Sequence, residues 1–110
     1  MQDKSTKEAY AVLLYAIIAK DGSVSIKERE KFDNFFQNEF SLNDNEVADL
    51  FDFATKEIDY KKYIDILKAS LQDNPMQKLN FLQYLNQTII SDGIEDIEYE
   101  IFEEIRDALV

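Results

Sequence analysis

The chain has two glycines and one proline in 110 residues, and both glycines follow an aspartate, at Asp21-Gly22 and Asp92-Gly93. So few turn formers leave little room for hairpins, and a chain this long must bury its apolar residues on helices instead. The two Asp-Gly pairs close similar stretches. Tyr10-Ala-Val-Leu-Leu-Tyr-Ala-Ile-Ile-Ala-Lys-Asp21-Gly22 is an apolar run that stops at Asp-Gly. Phe81-Leu-Gln-Tyr-Leu-Asn-Gln-Thr-Ile-Ile-Ser-Asp92-Gly93 repeats that plan 71 positions later. An acid-bearing helical stretch follows each.

Helical signals fill the rest. Ser5-x-x-Glu8 is a capping box predicting a first helix to about Lys20, with Gly22 as its left-handed stop. Ser25-x-x-Glu28 opens a second helix, with Phe32, Phe35, Phe36 and Phe40 at helical spacing. Asn43-x-x-Glu46 opens a third, whose stripe is Val47, Leu50, Phe51 and Ala54. Asp59 is the expected cap of a fourth, carrying Tyr63, Ile64, Leu67 and Leu71. Asn74-Pro75 starts a fifth, since proline suits the first helical position, and Leu79, Leu82, Leu85 and Ile89 are its expected inner face. A sixth begins near Ile97, with Ile101, Phe102, Ile105 and Leu109 inward. The expectation is an all-α fold: one compact bundle of about six helices over residues 1–110. The first and last helix pairs form a weak internal duplication.

Residues 9–19 are eleven consecutive apolar residues. That is short of the roughly 20 needed to cross a bilayer. Asp3 and Glu8 offset Lys4 and Lys7, so no basic leader precedes the run. Its Ala-x-Ala lies at the start, where a cleavage site would be misplaced. It is read as a buried helix of a soluble, cytoplasmic protein, with no direct membrane insertion.

The chain lacks cysteine and histidine. That removes disulfides, thiol and imidazole chemistry and the usual zinc, copper and haem ligands. A metal held by side chains here is a hard one: Ca²⁺, Mg²⁺ or Mn²⁺. Net charge is −11. Residues 1–40 carry six basic against seven acidic side chains, residues 41–74 four against eight, and residues 75–110 two against eight. Such a surface repels phosphate backbones, so nucleic acid is not an expected partner, and cations and basic proteins are.

Asp21 and Asp92 sit where a helix carries partial negative charge, at a cost of a few tenths to about 1 kcal/mol. A compensating partner is implied: a backbone N–H, a basic side chain or a cation. Each motif alone is most simply an Asx-type turn; the duplication adds a pair of sites that can converge. The first copy also has the back half of a calcium loop. With Asp21 at the fifth position, Gly22 falls at the sixth, Val24 at the eighth and Glu28 at the twelfth. The first and third positions are then Ile17 and Ala19, which cannot ligate. The second copy puts Glu95 and Tyr99 at the eighth and twelfth, so neither copy is an EF-hand. The second copy is one residue shorter, which makes Glu98 the nearest counterpart of Glu28, with Glu95, Asp96 and Glu100 as competitors.

Together the copies resemble the tellurite-resistance TerB-like family of small helical domains. The shared pattern is an apolar helix, x-Asp-Gly, and a glutamate-bearing helix near each end. Here it reads Ala19-Lys-Asp21-Gly22-Ser-Val-Ser-Ile-Lys-Glu28 and Ile90-Ser-Asp92-Gly93-Ile-Glu-Asp-Ile-Glu98. Ile90 stands where a small residue is usual. The resemblance implies an all-helical fold, no established catalytic activity, a role in bacterial stress or metal response, and an acidic patch for a divalent cation. Carried over, the metal ligands are Asp21, Glu28, Asp92 and Glu98.

An alternative from a different class is an acidic protein-binding module, inhibitor or immunity-like, for a basic partner. Glu95, Asp96, Glu98, Glu100, Glu103, Glu104 and Asp107 would steer that partner; the same cluster also fits a solvated helix face. A carboxylate enzyme is the third class, but the chain has no phosphate cradle and no nucleophile system. Tyr60, Tyr63 and Phe53 are either contact-surface aromatics or core edge. Oligomeric state is open.

Overall fold

The computed structural model describes residues 4–19, 24–57, 59–91 and 96–109, and their side chains apart from those of residues 91 and 96–98. Six helices account for nearly all of them: α1 (Lys4–Ile18), α2 (Ile26–Phe40), α3 (Asp44–Lys56), α4 (Tyr60–Ser70), α5 (Pro75–Ser91) and α6 (Asp96–Leu109). No strand occurs among the described residues. The all-α expectation holds, in a globule whose Cα radius of gyration is 12.7 Å, close to the ~13 Å typical of a folded chain this size.

The apolar run of residues 9–19 is the centre of the bundle. α1 packs against each of the other five helices, so Ala9 through Leu14, Ile17 and Ile18 are buried on every side. A helix surrounded in this way needs no polar face, and this explains an apolar stretch unbroken by charge. Around it, every other helix adds to the same buried cluster: Phe32, Phe35 and Phe36 from α2, Val47 and Ala54 from α3, Tyr63, Ile64 and Leu67 from α4, Phe81, Leu82, Leu85 and Ile89 from α5, and Ile105 and Leu109 from α6. Among the described residues no helix is long and apolar enough to cross a membrane.

The caps follow the sequence at three of five predicted starts. Ser25 and Glu28 make both bonds of a capping box, as do Asn43 and Glu46. Asn74, just before Pro75, accepts from the Gln77 N–H at 3.2 Å. Ser5 departs from expectation, because it lies inside α1 rather than at its cap. The buried Thr6 donates to the Ser70 hydroxyl at 2.9 Å, which ties this part of α1 to the end of α4. Asp59 precedes α4 but its side chain makes no cap bond. Its ψ is 82°, against 166° at Ser25 and 173° at Asn43, and at that angle the carboxylate does not swing over the first turn.

Two more departures matter. Leu79, expected inside, is 53% exposed. The buried positions of α5 are Phe81, Leu82, Leu85, Thr88 and Ile89, and at 100° per residue Leu79 lies about 120° from the centre of that face. Ser41 has φ 55° and ψ 34°, the one positive-φ non-glycine residue described, a conformation costing roughly 1–2 kcal/mol. It turns the chain at the end of α2, where its N–H and that of Leu42 both reach the Phe36 carbonyl.

Candidate functional site

The duplication becomes geometry in the way α1, α2 and α5 pass one another. Tyr10, midway along α1, meets Phe35 and Phe40 late in α2, with ring centroids 5.5 and 5.4 Å apart. Tyr15, near the end of α1, shares a cavity with Ser25, Ile26 and Arg29 at the start of α2. α2 is therefore antiparallel to α1. α5 crosses α2 in the same sense. Gln77 and Asn80 lie beside Glu39 and Phe40, Phe81 and Tyr84 meet Phe35 at 5.6 and 5.0 Å, and the Tyr84 hydroxyl donates to the Lys31 carbonyl. α1 and α5 thus run parallel, and both carry their C-terminal ends toward the first turn of α2.

Tyr10 and Phe81 are equivalent residues of the two copies, 71 positions apart. Their rings touch edge-on at 4.7 Å. Phe35 of α2, seven residues past Glu28, corresponds to Ile105 of α6, seven past Glu98; Phe35 is nearly fully buried and Ile105 fully so. The first helices of the two pairs meet at equivalent residues, Tyr10 and Phe81.

Glu28 is the one proposed ligand whose side chain is described. It lies in the first turn of α2, 7% exposed. Its Oε1 accepts the Ser25 N–H at 2.8 Å while its own N–H donates to Ser25 Oγ at 3.1 Å. The positive end of the helix favours the charge, and the reciprocal cap fixes the rotamer. The neighbouring cation is turned elsewhere: Arg29 lies 4.1 Å over the Phe51 ring and pairs with Asp33 at 2.9 Å. Asp21 and Asp92 lie outside the described residues. Glu98 is in the first turn of α6, and its side chain lies outside the described set. Among the described residues no three acidic side chains gather closely enough to hold a metal.

The acidic cluster of the alternative reading is partly described. Glu100, Glu103, Glu104 and Asp107 are exposed on α6. Glu104 accepts the Tyr60 hydroxyl at 2.9 Å, with Lys61 4.0 Å away. Tyr63 is buried and donates to Glu57 at 2.9 Å, and Tyr60 and Phe53 are half-buried. The three aromatics are core and core edge.

The sequence did not point to a cavity of about 340 Å³ at the far end of α2, lined by Tyr10, Phe35, Phe40 and Phe81 with Lys7, Glu39, Ser41, Gln77 and Asn80 around them. Tyr10 is 3% exposed, and its hydroxyl makes no hydrogen bond among the described residues. The available signal was Phe35 and Phe40, whose spacing placed them in a core without showing that a cavity opens beside them.

An all-helical module in which α1 and α2 open the chain and α5 and α6 close it is what fold and site define. The family model for tellurite resistance protein TerB matches residues 7–109. The chain belongs to the TerB family. Neither a comparison with curated proteins nor one with solved structures gave a significant match.

Proposed function

We propose that the protein is a non-enzymatic module that binds a divalent cation between its two Asp-Gly turns, with Asp21, Glu28, Asp92 and Glu98 as ligands and waters completing the shell. The observation that carries this reading is the direction of α1 and α5. They run parallel toward the helix start where the buried Glu28 is held, so both helices finish at the same end of the bundle. A second observation agrees. The last turns of α1 and α5 contain no basic residue, so within those turns nothing offsets an acid placed after the negative end of either helix. A hard cation held by oxygens from both copies would neutralise these charges and tie the first helix pair to the last. In a cell the module would serve a bacterial stress or metal response.

Binding to the folded state alone raises stability by RT ln(1 + [L]/Kd). Saturating Ca²⁺, then Mg²⁺ or Mn²⁺, is expected to raise the thermal midpoint of the wild type, and the Asp21→Asn/Asp92→Asn double variant is expected to lose that rise. A rise of the same size in the double variant would remove these ligands from the site. The exposed acids of α6 favour a second reading, docking of a basic protein. That reading expects a partner captured at low salt and released at high salt.

A further inference from the structure

We infer that the outward face of α5 is where two copies of this chain pair, antiparallel about a twofold axis at Gln83. The pairing uses none of the proposed metal ligands.

Four large apolar side chains are exposed among the described residues: Ile26, Met76, Leu79 and Ile90. Three of them belong to α5. At 100° per residue, Met76, Leu79, Asn80, Asn86, Gln87 and Ile90 all lie within about 60° of Gln83. Asn86 is half-buried and the rest of this face is exposed. No member of it is charged. The chain as a whole is 32% charged, yet the 17 residues of α5 hold a single charge, Lys78, about 140° away from Gln83. The buried residues of the helix, Phe81, Leu82, Leu85 and Ile89, point the other way. An exposed apolar stripe on an otherwise charged surface marks a place that a partner covers.

Charge and residue order identify that partner. A basic protein would be drawn to carboxylates, and this face has none. An anionic membrane repels a chain at −11, and the face offers no lysine or arginine to hold it. A second copy meets like charge over most of its surface, so an uncharged face is where it can approach. The order is also self-complementary. Positions equally far from Gln83 match, so an antiparallel pair sets Met76 against the partner's Ile90, Asn80 against the partner's Asn86, and Gln83 against its own copy. A side-chain amide both donates and accepts, and therefore pairs with its own kind across a twofold axis. Met76, Leu79, Gln83, Asn86 and Ile90 also keep the alternating three- and four-residue steps of a coiled-coil seam, in which polar residues set register. The antiparallel course opposes the two helix dipoles.

The contact is small. A helix of 17 residues is about 25 Å long. One face of it buries less than the ~800 Å² per partner of a standard interface. The pair is therefore weak and separates at the micromolar concentrations of an unfolding experiment.

Sedimentation equilibrium of the full chain, from micromolar to millimolar, tests this in the presence of chelator, which removes any metal that could bridge two acidic chains. A monomer–dimer equilibrium is expected. It should tighten as salt rises, because screening relieves repulsion between two chains at −11. Leu79→Glu, at an exposed position, should keep the helical circular dichroism but weaken pairing about tenfold or more by placing two carboxylates in the seam. Ala69→Glu, which adds the same charge at an exposed position of α4, should change it little. The chain has no cysteine, so single-cysteine variants locate the axis. Gln83→Cys should yield a disulfide-linked dimer under mild oxidation. Met76→Cys should not, because its copy lies about 21 Å away along the seam, beyond the reach of a disulfide. Four results would each overturn the inference: a mass that stays monomeric to millimolar, association loosened by salt, association untouched by Leu79→Glu, or Met76→Cys linking as readily as Gln83→Cys.

Discussion

At the scale of single residues, Glu28 carries two duties that substitution can separate. As the third residue of its capping box it accepts the Ser25 N–H at 2.8 Å, and glutamine at this position makes the same reciprocal bond. Glu28→Gln should therefore keep the cap bond and lose only the helix-end charge, about 0.3–1 kcal/mol, while cutting cation affinity if the carboxylate is a ligand. Ser25→Ala should do the reverse. It removes the oxygen that accepts the Glu28 N–H and costs about 1 kcal/mol, leaving the charge in place. Urea unfolding with and without Ca²⁺ reads both quantities. Equal cation effects in wild type and Glu28→Gln would return this residue to a purely structural role. The sequence already named Ser25 and Glu28 as a box, because capping chemistry is local and depends on residues three apart. Burial of that carboxylate was not legible, since it depends on how helices distant in sequence close over the start of α2.

Among the elements, what the sequence showed and what it hid divide along the same line. Helix existence was readable from caps and periodicity. The surrounded position of α1 was readable too, because only a helix packed on every side tolerates eleven apolar residues in a row. The inner face of α5 was read wrongly at one end. A three-residue step from Leu79 through Leu82 to Leu85 looks like a stripe, yet each step falls short of a full turn. Packing of Phe81 against Tyr10 and Phe35 at 4.7 and 5.6 Å settles which side faces in. The consequence is measurable. Leu85→Ala, at a fully buried position, should cost about 2–5 kcal/mol. Leu79→Gln, half out in water, should change stability by no more than about 0.5 kcal/mol. A large loss at Leu79 would show that its face is covered in solution. The parallel course of α1 and α5, on which the cation proposal rests, was hidden for a related reason: it follows from long-range ring contacts that no local pattern encodes.

For the molecule as a whole, negative charge and buried phenols together set how the fold responds to base. Tyr10, Tyr60, Tyr63 and Tyr84 are each pushed up from 10.0 to about 12. Burial is the leading cause in every case. The carboxylate of Glu39 adds to it at Tyr10 and Tyr84, hydrogen-bonded Glu104 at Tyr60, and hydrogen-bonded Glu57 at Tyr63. The folded state therefore holds these protons more tightly than the unfolded chain, in which a tyrosine titrates near 10. By linkage, the stability tied to the protonated phenols is intact below pH 10 and is lost as pH rises toward and through 12. A chain at −11 gains further negative charge over the same range, and the added self-repulsion pushes in the same direction. Helical circular dichroism and tyrosinate absorbance, followed together against pH, should show the buried tyrosines ionising in step with loss of helix between about pH 10 and 12. If four tyrosines instead ionised near pH 10 with the helices intact, the phenols would be accessible in the folded state. The packing of Tyr10, Phe35 and Phe81 around the cavity would then have to be looser than their contacts require.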